Sequence, residues 1–146
     1  MEKQFVPYKL ALKLKELGFD LDCMYAWCQV SKGYPVGKLL DEYVLRTDGN
    51  PFGQYYAGKN WNRDIEGRNK NNIRCSAPLW QQAFDWFREN HNLAVYPLKY
   101  KDWYFCIDNI DSKVAESIFL TESELKPTYE EARVACLEKL TELVNK

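Results

Sequence analysis

The stretch Leu93–Thr121, LAVYPLKYKDWYFCIDNIDSKVAESIFLT, decides the fold class. Leu93–Leu98 reads as a short strand. Pro97 has no amide proton to give a ladder, so it confines that strand to a sheet edge. Trp103–Asp108 (WYFCID) reads as a stronger strand, Asn109–Lys113 as a turn, and Val114–Thr121 as its partner, with Val114, Ile118 and Leu120 on one face. Strands that follow one another directly pair antiparallel. Strands that alternate singly with helices build parallel sheets. The stretch is therefore the signature of an α+β fold.

The flanks carry helices. Upstream, Ser76 reads as a cap and Pro78 as a first-turn residue of a helix whose stripe is Trp80, Ala83, Phe84 and Phe87, widened by Leu79 and Trp86. Downstream, Thr128-Tyr129-Glu130-Glu131 has the spacing of a capping box, and Tyr129, Ala132, Cys136, Leu140 and Leu143 follow at three- and four-residue steps. At the other end, Pro7–Leu17 reads as a helix with Leu10, Leu14 and Leu17 on one face. Gly18 follows as its C′ residue, and Phe19 folds back on the last turn. Residues 21–30 (LDCMYAWCQV) are apolar or aromatic at both parities, as a strand buried on both faces must be. Leu39–Arg46 pairs with it across a turn at Ser31–Pro35. The expected architecture is one antiparallel sheet of about four to five strands packed against three amphipathic helices. It forms a single domain over 1–146, interrupted by a long loop insertion at about 48–75.

Composition excludes several classes. The 146 residues carry 20 basic and 21 acidic groups, and 46% are hydrophobic, which rules out wholesale disorder. No apolar run approaches the roughly 20 residues a membrane helix needs, and the N-terminus is charged every few residues, unlike a signal peptide. The five cysteines form no C-x-x-C pair, and His91 is the one histidine, so neither a disulfide framework nor a zinc site is expected. Free thiols and an N-terminal stretch without a signal peptide's apolar run make a cytoplasmic location the expectation, with no membrane partner.

Catalytic constellations are sparse. Cys75 and His91 sit at opposite ends of the predicted helix 76–90, roughly 20 Å apart by helical rise, too far for a dyad. Glu130 and Glu131 are explained by the cap. Gly49-x-x-x-Gly53 lacks the lysine and spacing of a phosphate-binding loop. No catalytic residue, no metal and no cofactor is assigned, and a non-enzymatic protein is expected.

The sharpest signal is Gln54–Arg74. It interleaves Tyr55, Tyr56 and Trp61 with Lys59, Arg63, Arg68, Lys70 and Arg74, together with Asn60, Asn62, Asn69, Asn71 and Asn72. Aromatic faces stack on bases, cations hold phosphates, and amides read base edges. The same composition also suits a plain solvated loop, and both readings stand at this point. Residues 50–76 carry five basic groups against two acidic, a net +3, whereas residues 108–142 carry nine acids against four bases, a net −5. So modest a local charge fits a nucleotide or other phosphate-bearing small molecule better than duplex DNA, whose binding needs many phosphate contacts.

Three stretches, Lys3–Asp20 (KQFVPYKLALKLKELGFD), Ala77–Asn92 (APLWQQAFDWFRENHN) and Thr128–Val144 (TYEEARVACLEKLTELV), together resemble a group of small uncharacterised proteins encoded by gut-bacterial phages and related mobile elements. The resemblance covers roughly a third of the chain and lies in helix and core words. It implies a phage or prophage setting and a host cytoplasm, where small phage proteins often evade immunity by binding host proteins or nucleotide signals. It implies no catalytic residue. The expectation is a binder that sequesters an anionic nucleotide-like ligand. The alternatives are a module that docks on a host or phage protein, through 48–75 or the acidic 108–131 end, and a globular protein of neither kind. An edge strand at Pro97 and the abundance of aromatics also leave a homo-oligomer open.

Overall fold

The computed structural model describes residues 2–32, 38–46, 60, 62, 73–111 and 116–145. The fold is α+β, and the chain divides into two compact units, Met1–Trp80 and Gln81–Lys146.

In the first unit, α1 (Tyr8–Glu16) follows Pro7, whose carbonyl accepts from the Leu10 and Ala11 amides at 3.0 and 2.9 Å. Leu10, Ala11 and Leu14 are its buried face. The helix ends as its sequence dictates. Gly18 takes φ +89°, its N–H donates to Lys15 O at 3.0 Å, and Phe19 N–H donates to Leu14 O at 2.9 Å. A left-handed residue with this pair of reverse bonds stops a helix while satisfying its last carbonyls.

Strands β1 (Tyr25–Lys32), β2 (Lys38–Arg46) and β3 (Ile73–Ala77) form an antiparallel sheet in the order β2-β1-β3, with α1 packed on β3. Three consecutive β1 residues, Ala26, Trp27 and Cys28, are all buried, as apolar residues at both parities required. The Trp27 indole N–H donates to Val6 O at 3.0 Å, so its polar edge is satisfied inside.

The second unit holds α2 (Trp80–His91) apart from its first residue. Then come β4 (Leu93–Lys99), β5 (Trp103–Asp111), β6 (Glu116–Glu122) and α3 (Tyr129–Val144). The second sheet is antiparallel in the order β4-β5-β6, so β4 is an edge strand, as Pro97 requires. The Ile110 N–H donates to Asn92 O at 2.7 Å, which sets the parity of the β4–β5 ladder. Even-numbered residues of β4 bond to β5, and odd-numbered ones, Pro97 among them, turn their backbone groups outward. Thus Pro97 occupies a position where β5 needs no donor.

α3 begins with the full reciprocal cap. Glu131 N–H donates to Thr128 Oγ1 at 3.2 Å, and Thr128 N–H donates to Glu131 Oε2 at 3.3 Å. The helix packs on β5, and its buried residues run from Ala132 to Thr141. Phe105 of β5 is buried against the rings of Phe84 at 5.9 Å and Tyr129 at 5.7 Å.

Several expectations are corrected. There is not one sheet of four to five strands but two three-stranded antiparallel sheets among the described residues. Ser76, which the sequence suggests as a helix cap, lies in a strand instead. Tyr25, Ala26 and Trp27 pair in register with Ala77, Ser76 and Cys75, so these residues complete a ladder as β3, and helix α2 starts only at Trp80. A ladder satisfies several backbone groups at once, where a cap satisfies one. The stripe of α2 also shifts: Trp80, Ala83, Trp86 and Phe87 are buried, while Phe84 is only half-buried. Further along, β5 continues through Asn109–Asp111, where a turn was expected. A register irregularity between Ile107 and Asp108 leaves Leu120 exposed. The turn positions 33–35 and 112–113, with Val114, lie outside the described residues.

Candidate functional site

Of the eight residues singled out in the basic–aromatic segment, Tyr55, Tyr56, Lys59, Trp61, Arg63, Arg68 and Lys70 lie outside the described residues. Arg74 is described, on β3. Its Nε donates to Gln29 Oε1 at 2.9 Å, and its Nη2 reaches the same oxygen. The Lys15 ammonium of α1 donates to the Arg74 carbonyl at 2.9 Å. Both cations are thus oriented by neutral oxygens, and among the described residues neither is paired with a carboxylate. Among the described residues their positive charge is placed but not neutralised.

A pair of rings accompanies them. Tyr8, at the start of α1, stacks on Tyr43 of β2 with centroids 3.6 Å apart and planes 14° from parallel. Tyr43 stands directly across from Gln29 in the β1–β2 ladder, on the same side as Trp27, whose ring meets Tyr8 edge-on at 6.3 Å. Partial burial, then the hydrogen bond and the charge of Tyr43, push the Tyr8 hydroxyl up to about 12, and the Arg74 guanidinium pulls against them. Arg74 is linked to the ring pair through Gln29, which it holds by hydrogen bond and which stands across from Tyr43. Tyr8, Lys15, Gln29, Tyr43 and Arg74 are all half-buried. Two rings, two cations and an amide from α1, β1, β2 and β3 form one cluster on the first unit.

The sequence offers no sign of Tyr8, Lys15, Gln29 or Tyr43 as site residues. Each looks like an ordinary position of an amphipathic helix or strand, and only the β2-β1-β3 order brings them to Arg74. The one available signal is the shared parity of Trp27 and Gln29 on β1.

Two of the five asparagines, Asn60 and Asn62, have a different use from the base-edge reading, while Asn69, Asn71 and Asn72 lie outside the described residues. Asn62 Nδ2 donates to Phe19 O at 2.9 Å, and its Oδ1 accepts from the Ser76 N–H at 2.9 Å. Asn60 Nδ2 donates to Asp20 O at 2.9 Å, and its Oδ1 accepts from the Asn62 N–H at 3.0 Å. Both amides are occupied in tying the chain near residue 62 to the end of α1 and to β3. Replacing Asn62 with Ala leaves two backbone groups without their partners, one of them on the buried Ser76. We expect a loss of roughly 2–3 kcal/mol in urea unfolding, with Asn62→Asp in between because it keeps the acceptor. A loss below about 0.5 kcal/mol would show that the tie contributes nothing beyond a surface bond.

Nucleophilic chemistry is not favoured by the thiols. Cys75 is buried, and burial pushes its pKa up to about 12, with Lys15 opposing, so the thiolate is suppressed at neutral pH. The five cysteines are free and buried. Among the described residues no group of three metal-ligating side chains occurs, and no helix is long and apolar enough to cross a membrane. No family model, curated protein or solved structure matches the chain.

Proposed function

We propose that this chain is a non-enzymatic binding protein for an anionic, nucleotide-like ligand, a phage-type protein that sequesters such a ligand in the host cytoplasm. The observation that carries this reading is the pair of cations held by neutral oxygens, Arg74 by Gln29 and Lys15 by the Arg74 carbonyl, beside the Tyr8–Tyr43 stack. A phosphate is attracted to charge that is oriented and left unneutralised, and a base is attracted to an aromatic face. The adjoining segment adds Lys59, Arg63, Arg68 and Lys70 with Tyr55, Tyr56 and Trp61 in sequence.

A thermal-shift panel of mono-, di- and cyclic nucleotides tests it. A ligand at a hundredfold its Kd stabilises the native state by about 2.7 kcal/mol, so at least one nucleotide raises the melting temperature. Arg74→Ala together with Trp61→Ala removes that rise. A flat panel, or a rise that both substitutions leave intact, rejects the proposal.

A further inference from the structure

A second surface, on the other unit and independent of the nucleotide reading, carries a different chemistry. The face of the second sheet opposite Phe105 and Ile107 is built from two rows. Tyr96, Cys106 and Glu122 align across β4, β5 and β6, and Ala94, Asp108 and Phe119 align beside them. α3 packs on β5, and the Tyr129 ring meets Phe105, so α3 covers the opposite side. Large apolar groups stand exposed on this side of the sheet: Tyr96 is 41% accessible and Phe119 57%, with Leu98, across from Tyr104 in the next row, at 39%.

At the floor of this apolar face is a carboxylate. Asp108 is only 6% accessible, and among the described residues its hydrogen bonds come from one donor, the Tyr96 hydroxyl, at 3.4 Å to Oδ1 and 3.2 Å to Oδ2. An ionised carboxylate accepts about four hydrogen bonds, and a buried one with a single neutral donor is far from satisfied. The Tyr96 hydroxyl is kept protonated, its pKa raised by desolvation and by the Asp108 charge, so it remains a donor. Glu122 adds a second acid in the neighbouring row, and the whole of 108–142 is acidic. Exposed rings around an under-partnered carboxylate match the arginine or lysine side chain, whose stem is apolar and whose head is a multiple donor.

We propose that this face of the second sheet is a docking surface for a partner protein that inserts an arginine or lysine, flanked by apolar side chains, onto Asp108 between Tyr96 and Phe119. Tyr96 on β4 and Phe119 on β6 flank Asp108 from the two neighbouring strands, so the stem lies against rings while the head meets the carboxylate. Such buried cationic anchors dominate the energetics of many interfaces.

The test uses the full chain, labelled with nitrogen-15, titrated with the synthetic peptide acetyl-Leu-Arg-Leu-amide. The expected result is amide shifts concentrated at Tyr96, Asp108 and Phe119, with roughly tenfold weaker binding when norleucine replaces the arginine. Asp108→Asn abolishes the shifts. It also leaves the melting temperature of the free protein unchanged or raised, because it removes an under-partnered buried charge; a fall would identify the carboxylate as a structural group and overturn the proposal. Phe119→Ala, at an exposed position, weakens the peptide severalfold without unfolding the protein, and unchanged peptide binding by this variant overturns the proposal. No shifts on this face, or equal binding of the norleucine peptide, overturns the proposal. So does a wild-type dimer in sedimentation that Phe119→Ala dissociates, which assigns the face to a second copy.

Discussion

Between pH 9 and pH 12 the protein is expected to lose most of its stability. Cys23 and Cys75 are fully buried in the first unit, and burial pushes each thiol from 9.0 up to about 12. Below pH 9 these thiols are neutral in both the folded and the open chain, so their contribution to stability is fully present. Above it the open chain ionises and the folded one resists, so stability falls until the pH passes the folded value. At pH 12 each thiol then disfavours the folded state by about 4 kcal/mol, against a total of roughly 5–15 kcal/mol for a domain. Tyr8, raised from 10.0 to about 12, and Cys136, also raised by burial, act in the same direction. Urea midpoints followed by tryptophan fluorescence at pH 7, 9, 10 and 11 read this out. Cys75→Ala flattens the alkaline limb relative to wild type even though it lowers the midpoint at pH 7. Equal midpoints at pH 7 and pH 11 would refute the account.

Phe105→Ala is the single substitution expected to cost most. Phe105 lies in the central strand of the second sheet, is essentially inaccessible, and meets the rings of Phe84 and Tyr129. Its backbone is engaged as well, donating to Ser123 Oγ at 2.9 Å and accepting from Ser123 N–H at 2.8 Å, so the strand is held in place and cannot collapse into the space left behind. Truncating a buried phenylalanine removes transfer energy and leaves a cavity, together roughly 3–5 kcal/mol. Phe105→Leu keeps most of the volume and recovers more than half of that. Chemical denaturation of the three proteins decides it, and a loss under about 1 kcal/mol for Phe105→Ala is incompatible with a site that cannot relax.

These consequences trace back to features of unequal legibility. Gly18 after a leucine-striped helix, the Thr128–Glu131 box and the proline in β4 could be read in advance because each acts through its own few neighbours. Ser76 misled because its local preference for a cap is outweighed by a pairing with Ala26, fifty residues away in sequence. For the proposed site, Arg74 could be chosen from composition, but the rings beside it could not. Tyr8, Tyr43 and Gln29 become neighbours only through strand order, which no spacing in the sequence encodes. Asn62 carried the opposite lesson: an amide that suits a base edge is occupied by the backbone at both of its atoms.

The placement of Pro97 has a consequence for the behaviour of the chain in a crowded solution. Along the open side of β4 the outward residues are Leu93, Val95, Pro97 and Lys99. A foreign strand that tried to add itself there would find a carbonyl with no neighbouring N–H at the middle of the run and a cation at its end. Templated growth along this edge is therefore interrupted at its first step, and contacts made there rest on side chains rather than on the backbone.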